Sequence, residues 1–141
     1  MDMSEENKTK LRSSIDAIET GYEFLLAYAA QGRDFEESGG GGGPSVRIYL
    51  GDMKNGLKTV ADDFELEIKI KVETGNQLFL NYIKVMRADA EKSLQAIDMV
   101  LALPSIGSQV IDNLNASIHI RALLTDIFLV DEALSSLSRK Q

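Results

Sequence analysis

The sequence predicts an all-α protein arranged as an up-down four-helix bundle. Two observations carry that prediction: apolar residues recur every three or four positions through four long segments, and turn or breaker residues fall between those segments. A third observation pulls the other way. Glu65 to Glu73 reads ELEIKIKVE, charged and apolar residues alternating with a period of two. The alternative is therefore an α+β fold, with a small sheet formed by residues 46–50 and 65–72 packed on helices.

The first helix carries Leu11, Ile15, Ile18, Tyr22, Leu25 and Ala29 at heptad-like spacing. Ser4, with Glu6 and Asn7 nearby, offers a start, and Gly32 offers a stop. SGGGGGPS, Ser38 to Ser45, then reads as a flexible loop, because five consecutive glycines lose too much backbone entropy to sit inside an element. Val46, Leu50, Met53, Leu57, Val60 and Phe64 repeat the spacing in a second helix, although Gly51 and Gly56 each cost about 1 kcal/mol there relative to Ala. Thr74-Gly75-Asn76 is a turn with Asn76 as the expected cap of a third helix. That helix carries Phe79, Ile83, Met86, Ala90, Leu94, Ile97 and Leu101 and is ended by Pro104. The last segment, from Ser108 to Ser138, shows Leu123, Ile127, Val130, Leu134 and Leu137 on one stripe and Ile111, Leu114 and Ile118 on a neighbouring one. A helix apolar over so wide an arc is expected to be the most enclosed. Four segments of up to about 30 residues suit the bundle.

For ELEIKIKVE the helical reading is preferred. In a helix Glu65 meets Lys69 and Glu67 meets Lys71 in the favourable i,i+4 order, worth about 0.2 to 0.5 kcal/mol each. A strand would need a partner for its backbone groups, and a two-stranded sheet is marginal on its own. The helix leaves Leu66 and Ile70 pointing away from the main seam, which makes them the candidate interface residues. Three polar residues on or near the apolar arcs of the last segment, Asn115, Arg121 and Thr125, are candidates for fixing register or partner choice on the bundle seam.

At 141 residues the chain is expected to form a single helical domain over 1–141, burying roughly two thirds of its unfolded surface. It has no Cys and so neither disulfides nor thiolate metal sites. The N-terminus is charged where a signal peptide is apolar, and no stretch approaches the roughly 18 to 20 apolar residues of a membrane span. The expected setting is cytoplasmic, without membrane contact. A net charge of −7, with Lys and Arg spread through the chain, argues against nucleic-acid binding.

Catalytic and cofactor signals are thin. Gly51 to Thr59 nearly matches a P-loop, but Leu57 separates Gly56 from Lys58, and the loop works only with Lys directly after its last Gly; structural turns explain these glycines better. His119 is the only histidine, and Ala116 stands where a Glu-x-x-His metal motif needs Glu. The acidic residues, Asp16, Glu19 and Glu23, then Asp62 to Glu67, then Asp126, Asp131 and Glu132, read as a solvated face. No cofactor, metal or catalytic residue is expected.

In composition and periodicity the chain is similar to small acidic helical-bundle proteins, a category that includes secretion chaperones and adaptors; no motif assigns it to one family. The expected function is that of a protein–protein interaction module, adaptor or chaperone-like rather than enzymatic. It is expected to self-associate, with a homodimer as one form and a protein of unknown identity as the other partner. A carrier or sensor of an apolar small molecule held between helices is the alternative, and a magnesium-dependent hydrolase using the acidic residues the third reading.

Overall fold

The computed structural model describes residues 3–36 and 45–139. Among them are five α-helices and no strand: α1 Met3–Ala30, α2 Val46–Lys71, α3 Gln77–Leu101, α4 Ser108–Ala116 and α5 Ile118–Arg139. The fold is a helical bundle of the all-α class. The predicted loop at 38–45 lies outside the described residues except for Ser45, whose hydroxyl accepts a hydrogen bond from the Ile48 N–H and caps α2. α1 stops where Gly32 takes a φ of +65°, a conformation that favours glycine.

ELEIKIKVE is helix as far as Lys71, and Val72 closes the last turn by donating its N–H to the Ile68 carbonyl at 2.8 Å. Both expected ion pairs form, Lys69 to Glu65 at 3.6 Å and Lys71 to Glu67 at 3.2 Å. Residues 46–50, the other half of the alternative sheet, begin the same helix. The expectation that Gly51 and Gly56 mark turns is corrected: both lie inside α2. At Gly56 the reason is packing, since a β-carbon there would sit 2.8 Å from the Ser14 carbonyl oxygen of α1. The P-loop-like stretch is thus a stretch of helix. Asn76 too differs from expectation, for its side chain donates to the Val72 carbonyl at 3.2 Å and finishes α2 instead of capping α3.

The last segment is not one helix. Its backbone is extended at Ser117 (φ −63°, ψ 139°), so α4 and α5 are separate. The two neighbouring stripes explain the break: α4 buries Ile111 and Leu114 and packs chiefly on α1, whereas α5 buries Leu123, Ile127, Val130 and Leu134 and packs on α3. A straight helix could not aim both stripes inward. The expected enclosure fails for α5, because Ile118, Phe128, Leu129 and Leu137 are exposed.

Neighbouring helices run antiparallel. Lys54 pairs with Asp98 and Asp62 with Arg87 across α2 and α3, while Asn7 meets Glu67 and Ser14 meets Thr59 across α1 and α2. One apolar core joins them, with Ile15, Ile18, Leu50, Phe64, Ile83, Ile97 and Ile127 almost fully buried. One end of the bundle is tied by polar contacts. Arg47 grips Glu36 through two nitrogens and donates to the carbonyls of Leu101 and Leu103; Tyr28 donates to the Ile106 carbonyl at 2.6 Å.

Candidate functional site

Two recesses between helices lie beside buried carboxyl groups. The first is an apolar groove of about 200 Å³ where the start of α3 meets the later turns of α5, lined by Leu78, Phe79, Tyr82, Leu129, Val130 and Ala133. None of the six is charged. Leu78 leads the first turn of α3 and is 79% exposed; Leu129 faces it from α5 and is 54% exposed. Val85, two turns beyond Leu78, and Leu137, two turns beyond Val130, are exposed as well.

Beneath the groove Tyr82 donates its hydroxyl to Asp126 Oδ1 at 2.7 Å. Asp126 is only 3% exposed, and its Oδ2 is buried with no hydrogen-bond partner. The Asp89 carboxyl, from α3, lies within hydrogen-bonding reach of a protonated Asp126. Burial first, and then the bond to Asp89, push the Asp126 carboxyl up to about 7, against the opposing effect of the Tyr82 hydroxyl. The same bond to Asp126, with burial second, pushes the Tyr82 phenol up to about 12.

The second recess is a cleft of about 410 Å³ among α1, α2 and α5. Leu11, Phe64 and Leu134 form its apolar part, and Lys8, Arg12, Lys71, Glu67 and Asp131 its charged part. Arg12 and Asp131 pair across it at 3.7 Å. Glu67, 2% exposed, accepts from Asn7 Nδ2 at 3.1 Å and pairs with Lys71. The same Asn7 nitrogen reaches the Asp63 carbonyl, and the buried Asp63 carboxylate meets Lys10 at 3.5 Å. Each carboxylate of this cleft is matched by a cation, Asp131 by Arg12 and Glu67 by Lys71. On its margin Glu19 is raised from its ordinary value by burial, then by Asp16, with Arg12 opposing.

The predicted site residues fall in different places. Leu66, 38% exposed, and the half-buried Ile70 lie on the outer side of α2, away from both recesses. Of the three seam candidates only Asn115 is buried, donating Nδ2 to the Leu25 carbonyl at 3.1 Å and so tying α4 to α1. Arg121 and Thr125 are exposed, and Thr125 bonds back to the Arg121 carbonyl within its own helix. The acidic residues do not form one solvated face, since Asp63, Glu67 and Asp126 are buried. No three His, Asp or Glu side chains among the described residues are placed to hold a metal ion, and no helix among them is long and apolar enough to cross a membrane.

Spacing in the sequence marks the buried polar residues, though not the groove. Asn7 lies four residues before Leu11, Glu67 three after Phe64, and Asp126 three after Leu123 and four before Val130. Each continues an apolar stripe with a polar residue, which is the signature of a buried polar contact. No family model, curated protein or solved structure matches this chain.

Proposed function

We propose that this protein is an interaction module, adaptor or chaperone-like, which docks the apolar side of a helix in the α3–α5 groove, and that a second copy of the chain is a partner it takes. The supporting observation is the uncharged, solvent-open lining of the groove in a chain of net charge −7. Two such chains repel one another, and the repulsion is least where the meeting surfaces carry no charge. Leu78, Val85 and Leu129 then supply the apolar area, each side chain worth roughly 1.5 to 3 kcal/mol when fully buried. Helix-in-groove recognition reads such anchors at helical spacing.

Molar mass measured across a concentration series tests the reading. The wild-type chain is expected to show a concentration-dependent dimer, and Leu78→Glu with Leu129→Glu, verified as folded by circular dichroism, is expected to abolish it. Leu66→Glu with Ile70→Glu serves as the contrast and is expected to leave the dimer intact. A dimer that survives the first pair and is lost with the second moves the contact to the outer side of α2. A strictly monomeric wild type removes self-docking.

A further inference from the structure

Asp126 is a buried carboxyl whose polar neighbours are an acid and a phenol. That sets it apart from Glu67, which has Lys71, and from Asp63, which has Lys10. The groups acting on it are Asp89 and Tyr82, both from α3. Tyr82 belongs at once to this cluster and to the wall of the groove. Any change at Asp126 is therefore one side chain away from the docking surface.

We propose that a proton held on Asp126, beside Asp89, latches α3 to α5 beneath the groove, and that losing this proton loosens the seam and weakens docking. The second half rests on the docking reading above; the latch itself does not. With the proton in place, Asp126 Oδ2 donates to Asp89 and gains the partner it otherwise lacks, and Tyr82 keeps its bond to Oδ1. Without it the Asp126 carboxylate is buried with Tyr82 as its one donor and the half-buried Asp89 beside it, and removing a charged carboxylate from water is costly.

The sign with pH follows. Asp126 has an ordinary value of 3.8 and is raised to about 7 in the fold. Between those values the folded chain holds a proton that the unfolded chain has released. This group's contribution to stability therefore falls as pH rises from 3.8 and levels off above about 7. The charge on the folded seam itself changes near the upper limit, as a property of the pair.

Asp126→Asn is the informative variant, because its amide can accept from Tyr82 and donate to Asp89 at every pH, a fixed copy of the protonated state. Dimer dissociation constants for both proteins at about pH 6 and about pH 8 are expected to rise about tenfold for wild type, as one unit of differential protonation requires. The variant is expected to change by less than about twofold, on the same scale. Urea denaturation of both across the same range is expected to show wild type losing stability relative to the variant as pH rises. Parallel pH dependence in the two proteins overturns the latch. If wild type is monomeric at every pH the docking reading falls, and the urea comparison still decides the latch either way.

Discussion

The α1–α2 and α3–α5 seams each bury a carboxylate against the neighbouring helix, and they treat it in opposite ways. Between α1 and α2, Glu67 and Asp63 meet Asn7, Lys71 and Lys10, and the backbones close tightly at Gly56. Between α3 and α5, Asp126 meets Asp89 and Tyr82, and the seam opens outward into an apolar groove. Taking a carboxylate out of water is costly, and a cation or a good donor is the usual compensation. The first seam supplies it from within. The second depends on a proton taken from solution, and it is also the one that leaves Leu78 and Leu129 uncovered. Composition alone does not separate a structural seam from an adjustable one; the identity of the carboxylate's partner does.

The strongest way to break this contrast is to remove the donor from the first seam. Asn7→Leu keeps the volume while deleting the hydrogen bonds to the Asp63 carbonyl and to Glu67 Oε2. The buried Glu67 carboxylate is left short of a partner, and a loss of about 2 to 3 kcal/mol in unfolding free energy is expected. Urea denaturation measures it. The sign is opposite to that expected for Asp126→Asn above neutral pH, where the substitution supplies a donor instead of removing one. If Asn7→Leu proved neutral, the two seams would not differ in the way their chemistry implies.

Most of the helical framework is legible in the sequence, and the reason is periodicity. Ile15, Ile18, Leu50, Met53, Phe64, Ile83, Met86 and Ile97 are all on predicted stripes and all nearly inaccessible. Local pairing also suffices for Glu65 with Lys69 and Glu67 with Lys71, since both partners lie on one helix. What periodicity misses is set by the neighbouring helix. Glu67 looks like a surface ion pair until Asn7 arrives from α1, and Asp126 looks like part of an acidic face until Tyr82 and Asp89 cover it. The bend at Ser117 is hidden for a related reason. No Gly or Pro marks it, and only the need of α4 and α5 to face different helices requires it. The groove is hidden because Leu78 and Leu129 are apolar residues off the main stripes, and such residues are ordinary on any surface until two helices set them side by side.

A finer test of the tight seam compares two glycines of the same helix. Gly56→Ala places its β-carbon 2.8 Å from the Ser14 carbonyl oxygen, a backbone atom that yields only if α1 and α2 separate. Overpacking of this kind costs about 1 to 3 kcal/mol, while replacing a helical glycine by alanine returns about 1 kcal/mol. A net loss of up to about 2 kcal/mol is expected.

Gly51→Ala isolates the second of those contributions. A β-carbon at Gly51 meets nothing within 4 Å, and the residue lies in the same helix with ordinary helical backbone. Alanine there restricts the unfolded chain and improves helix propensity without touching α1, so a gain of about 0.5 to 1 kcal/mol is expected. The opposite signs at two positions of one helix, read as urea midpoints at constant slope, would locate the closeness of the first seam at Gly56 itself. Equal signs would mean that α2 responds to glycine replacement as a helix and not as one wall of a seam. The close approach of α1 would then contribute little to holding Asn7 against Glu67.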